Sequence, residues 1–120
     1  RGKFLATHPP VTISLDFIEM AEITQMMLKE SLDALVYLDC TRAHHVRLKD
    51  DSVDDMNRQM YVAVQQGIRE HPDELESLIH LLSVSRHLER IADHATNIAE
   101  DVIYMIEGTI VRHKPENYND

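Results

Sequence analysis

The chain has 120 residues, and 21 Asp plus Glu against 12 Lys plus Arg give it a formal net charge of −9. That length fits one ordinary domain, and a chain this acidic repels phosphate backbones, so nucleic-acid binding is not expected. Apolar residues at 43% are enough for a core, 3 Gly and 4 Pro favour a few long helices over many strands, and 5% aromatics without Trp offer no base-stacking surface.

Residues 1–12 read as an extended lead-in, because His8-Pro9-Pro10-Val11 cannot be helix interior. Ser14 or Asp16 then caps a first helix over about 16–38. Its apolar stripe is Ile18, Ala21, Leu28, Leu32, Leu35 and Val36. Asp39 and Thr41 are both N-cap residue types, which places a turn around 38–41. A second helix follows over about 41–70, with Val46, Val53, Met56, Met60, Val64 and Ile68 facing inwards. It ends before Pro72, and Asp73 caps a third helix over about 74–107. There Leu81, Val84, Leu88, Ile91, Ala95, Ile98, Ala99, Val102, Met105 and Ile106 form one broad stripe, and Gly108 is the stop. Residues 109–120 read as a polar tail.

The expected architecture is all-α, an antiparallel up-down-up three-helix bundle over residues 13–108. No apolar run approaches the roughly 20 residues of a membrane span, so no membrane insertion is expected. Cys40 is the single cysteine, which leaves no intrachain disulfide and leans towards a reducing, cytoplasmic setting. The chain begins without Met, which fits an excerpt or a processed product.

Two carboxylate pairs stand out. Glu89 and Asp93 are four apart on the third helix, and Asp50 and Asp54 repeat that spacing on the second. At about 100° per residue, Glu89, Asp93, Asn97 and Glu100 fall within about 80° of one another, at or beyond the edge of the apolar stripe. Like charges at this spacing destabilise a helix by a few tenths of a kcal/mol, which calls for solvent or a cation. Two readings follow. One is a solvated face with Arg58 paired to Asp54 and Arg86 to Glu89. The other is a metal held by hard oxygen ligands from both helices.

His80, His87 and His94 are seven apart, about 10.5 Å per step, too far for two of them to share one ion. They read as solvated edge histidines. His44 and His45 point in different directions and are read as forming no helical i, i+4 chelate, and Glu-x-x-His, the di-iron bundle signature, does not occur. The six methionines read as core or interface filler. No Ser/His/Asp or Cys/His set, P-loop or Gly-rich loop is recognised.

The run from Ser85 to Tyr104, SRHLERIADHATNIAEDVIY, resembles the PhoU family of bacterial phosphate-signalling proteins. Lys49-Asp50-Asp51-Ser52-Val53-Asp54 is similar to the family's other acidic motif, and the His-Pro-Pro lead-in also fits. The family consists of two tandem three-helix repeats, and this chain resembles the second. The resemblance implies a regulator and not an enzyme. It implies an adaptor that links the phosphate ABC transporter, through its ATPase PstB, to the sensor histidine kinase PhoR, and that restrains phosphate uptake and the phosphate regulon. It implies iron or zinc held by Asp50, Asp54, Glu89 and Asp93, with Asn97 and Glu100 continuing the face. It also implies a homodimer in which two copies stand in for two repeats. The alternatives are a histidine phosphotransfer domain using His87, or a structural bundle that binds no metal.

Overall fold

The structure is a computed structural model that describes residues 11–112, with side chains described over 16–108. Helix α1 spans Val11–Tyr37, α2 spans Cys40–Glu70 and α3 spans Leu75–Arg112, with a 3₁₀ turn over Pro72–Glu74 before α3. All three helices pack on one another as an antiparallel up-down-up bundle, and no strand occurs among the described residues. At about 1.5 Å per residue α3 is about 57 Å long, matching a bundle 62 Å in its longest dimension.

Local chemistry explains the joints. Leu38 takes a left-handed conformation (φ 51°), and the Asp39 amide reaches back to the Ala34 carbonyl at 2.9 Å to close the end of α1. Asp39 then caps α2, its carboxylate accepting from the Arg42 amide at 3.0 Å. Such a cap contributes about 1 kcal/mol. At the other end the His71 amide donates to the Gly67 carbonyl, and Pro72 opens the 3₁₀ turn.

Several boundaries differ from the sequence reading. Helix α1 already runs from Val11, so Ser14 and Asp16 lie inside it and not at its start; residues 1–10 of the expected lead-in lie outside the described residues. Asp73 sits within the 3₁₀ turn and does not cap α3. Helix α3 runs through Gly108 to Arg112, so the first part of the expected tail is helical; residues 113–120 lie outside the described residues. Gly108 does not take the positive φ of a helix-ending glycine, and open space surrounds it.

The largest correction concerns α1. Its buried side is Phe17, Met20, Thr24, Met27, Ser31 and Ala34, while Ile18, Leu32, Leu35 and Val36 are exposed and Ala21 and Leu28 half-buried. The reason is close approach. Ser31 and Ala34 on α1, Ala43 on α2, and Ala92, Ala95 and Ala99 on α3 are all fully buried, and small residues let helix axes come together. Met20 and Met27 then fill the irregular gaps that branched side chains fit less well. On α2, Val46, Val53, Met60 and Val64 are buried as expected, with Met56 and Ile68 packed at the margin, and Ala43 and Gly67 join them. On α3, Leu81, Ala95, Ala99 and Val102 are buried, but Val84, Ile91 and Met105 are exposed; Leu78, Ala92 and Ile103 are buried in addition.

Candidate functional site

Helices α2 and α3 run antiparallel, so their facing edges form a ladder of polar rungs. Near the start of α2, His44 Nε2 lies 3.3 Å from Glu107 Oε2. Arg47 Nε is 3.7 Å from Glu100, and farther down Asn57 Nδ2 donates to Glu89 Oε2 at 3.2 Å. Ten residues separate Arg47 from Asn57, about 15 Å of helix. Between them face Asp50, Asp51 and Asp54 on α2 and Asp93 and Thr96 on α3. Part of this edge is a groove lined by His44, Arg47, Asp50, Asp51, Thr96 and Glu100.

The carboxylates in this stretch are short of cations. Oxygens of Asp50, Asp51 and Asp54 lie within 4.8 Å of one another. Asp50 Oδ1 is buried and has no hydrogen-bond partner among the described residues. Burial pushes the Asp50 carboxyl above its usual value, the charges of Asp54, Asp93 and Asp51 push the same way, and Thr96 acts against them. Burial also raises Glu89, with Asp54, Asp93 and Asp50 adding to it and Arg58 opposing. Arg58 itself pairs with Asp55, one residue from the expected Asp54. Glu89 takes its hydrogen bond from Asn57 and forms no ion pair with Arg86.

The arrangement suits a hard cation. A buried carboxylate oxygen without a partner beside further carboxylates is stabilised by added positive charge, of which Arg58, itself paired with Asp55, supplies only part. Iron or zinc fits this donor set, with Asp50, Asp51 and Asp54 in reach of one ion and Glu89 and Asp93 facing them from α3. Asp51 belongs to the acidic motif that the sequence singles out but is not among the ligands expected there, because on one helix it falls about 100° from Asp50. Glu100 lines the groove but is engaged by Arg47, and Asn97 is exposed and takes part in none of these contacts.

Two further groups escaped the sequence. Asn57 accepts from the buried Ser85 hydroxyl while donating to Glu89, which ties the carboxylate to the core. No residue spacing signals that pairing. At the end of the groove Cys40, His44 and Glu107 converge, although no Cys/His set was recognised. There the i, i+4 spacing of Cys40 and His44 was a usable signal. His87 and His94 are exposed, as is His80, which lines a second groove with Asn57, Tyr61 and Arg86.

A family model described as the PhoU domain matches residues 17–102. A phosphate-specific transport system accessory protein PhoU homolog from Synechocystis is 39% identical over 106 residues, covering 87% of this chain and 46% of the relative. Proteins of the same description from Aquifex aeolicus and Pseudomonas aeruginosa are 38% and 36% identical, covering 95% and 81% of this chain and 52% and 41% of themselves. The chain thus spans about half the length of these curated relatives.

Proposed function

The chain belongs to the PhoU family, and from that membership we propose that it is a phosphate-signalling adaptor with no catalytic activity of its own. In this reading it works in the cytoplasm, linking the transporter ATPase PstB to the sensor kinase PhoR and restraining phosphate uptake. Its relatives' description as accessory proteins of phosphate-specific transport supports the role. No helix among the described residues is long and apolar enough to cross a membrane.

The observation that carries the site is the carboxylate stretch of the α2–α3 groove, with the unpartnered Asp50 Oδ1 at its centre. Asp50, Asp54, Glu89 and Asp93 hold iron or zinc there, with Asp51 beside them. Bound metal supplies positive charge that these side chains lack. Asn57 fixes the Glu89 carboxylate, and Thr96 offsets part of the charge crowding on Asp50. The acidic face, extending to Glu100, presents a docking surface to a basic patch on the kinase or the ATPase. Charge complementarity of this kind acts mainly on association rate and orientation.

A second copy of the chain covers the exposed apolar residues of α1 and α3. Val84, Ile91 and Met105 lie on the flank of α3 opposite Glu89, away from α2, and Ile18, Leu32 and Leu35 are exposed on α1. The chain spans about half the length of these relatives, and a homodimer buries this face.

Elemental analysis of protein purified without chelator tests the metal, with Asp50→Asn/Asp54→Asn as control. The variant should hold clearly less iron or zinc than the native chain; equal metal in both, or background metal in both, overturns the site. Binding to PhoR and PstB, measured with and without chelator at two salt concentrations, tests the adaptor role. Loss on chelation supports docking through the metal, strengthening supports direct docking of the acidic face, and no binding under any condition overturns the role.

A further inference from the structure

We propose that Cys40, His44 and Glu107, at the end of the acidic groove, form a zinc site distinct from the Asp50, Asp51 and Asp54 cluster, and that it clasps the start of α2 to the C-terminal third of α3. The argument starts from the turn. Leu38 in its left-handed conformation and the Asp39 cap fix Cys40 as the first residue of α2. His44 follows four residues later, so thiol and imidazole lie on one face of consecutive turns. Glu107 then reaches across from α3.

The donor atoms meet at one point. Glu107 Oε2 is 3.3 Å from His44 Nε2 and 3.9 Å from Cys40 Sγ, and all three ligand atoms lie within 4.8 Å of one another. With Zn–S near 2.3 Å and Zn–N and Zn–O near 2.0–2.1 Å, the edges of a tetrahedral site come to about 3.3–3.6 Å. The His44–Glu107 separation of 3.3 Å already matches such an edge, and the Cys40–Glu107 separation of 3.9 Å is close to one, so side-chain rotation brings the three donors onto one ion. His44 and Glu107 are exposed, so the fourth position opens to water.

Donor chemistry separates this site from that cluster. One sulfur, one nitrogen and one oxygen suit zinc, whereas Asp50, Asp51 and Asp54 offer carboxylate oxygens alone. His44 and Asp50 are six residues apart, about 9 Å along α2. Coordination requires the thiolate, so binding releases the Cys40 proton to solvent and neutralises charge beside Glu107. Without a cation, Glu107 accepts a hydrogen bond from the Cys40 thiol and pairs with His44.

Cobalt(II) reports the difference, since a thiolate ligand adds a charge-transfer band in the near ultraviolet that oxygen ligands do not give. The full chain, reduced and metal-free, is titrated with cobalt and then with zinc. One cobalt per chain should develop the band, and zinc should bleach it. Cys40→Ser should abolish the band. His44→Ala and Glu107→Gln should each weaken cobalt affinity by at least about tenfold, since even outer-sphere partners matter that much. Asp50→Asn/Asp54→Asn should leave the band intact, so failure of the groove site does not mask this one. Absence of the band, or affinity unchanged in both His44→Ala and Glu107→Gln, overturns the proposal. Circular dichroism of each variant confirms that the helices persist.

Discussion

Asn57 on α2 stands between Ser85 and Glu89 on α3: its carbonyl accepts from the Ser85 hydroxyl, and its amide donates to Glu89 at 3.2 Å. Ser85 is 1% exposed, so one end of this relay is core and the other is the acidic groove. Replacing Asn57 with Leu leaves the buried Ser85 hydroxyl and the Glu89 carboxylate without it, which costs about 1–3 kcal/mol. For a domain of this size each kcal/mol lowers the melting temperature by about 4 °C. Asn57→Asp should cost more, because it sets a second carboxylate against Glu89, and Glu89→Gln should recover part of that loss by restoring a donor. Thermal melts of the three variants check this; a change below about 1 °C in Asn57→Leu would count against it.

The groove predicts a pH response with a definite sign. Asp50 and Glu89 have folded-state values raised above the ordinary 3.8 and 4.5. Between the ordinary and the raised value the folded chain binds more protons than the unfolded chain. Their contribution to stability therefore falls as pH rises through that window. Metal-free protein should gain stability from these groups as pH drops from neutral towards the upper carboxylate range. Asp50→Asn/Glu89→Gln should flatten this dependence and stabilise the metal-free chain at neutral pH. A pH–melting profile in chelator that is identical for both proteins refutes the assignment.

Leu38 is a non-glycine residue at φ 51°, and its side chain is 58% exposed. Its left-handed conformation costs about 1–2 kcal/mol, and glycine returns about 0.5–1 kcal/mol of that as unfolded-state freedom. Leu38→Gly should therefore stabilise the chain by about 0.5–1 kcal/mol, or about 2–4 °C. A lower melting temperature would show that the exposed Leu38 side chain contributes packing that outweighs the strain.

Leu35 and Ile91 are 42% and 39% exposed on the face assigned to a second copy. Leu35→Glu/Ile91→Glu should give a monomer in light scattering while far-ultraviolet circular dichroism stays helical. A native chain that is monomeric at high concentration, or a variant that remains dimeric, would remove this face from the interface.

The helices, their order and the turns at Asp39 and Pro72 were legible in the sequence, because caps, prolines and 3.6-residue periodicity are local properties. The acidic spacing was legible for the same reason, since residues four apart on one helix face the same way whatever surrounds them. Which side of α1 turned inward was not. Ile18, Leu32, Leu35 and Val36 look more apolar than Thr24, Ser31 and Ala34, yet the second set is buried. Close approach of three helices rewards small side chains, and only the helix-to-helix distance reveals that. Contacts between helices likewise needed the fold: Asn57 with Ser85 and Glu89, and Glu107 with Cys40 and His44, join residues from 28 to 67 positions apart. Their meeting depends on the register of α2 against α3, which is set by packing along the whole interface and written in no single segment.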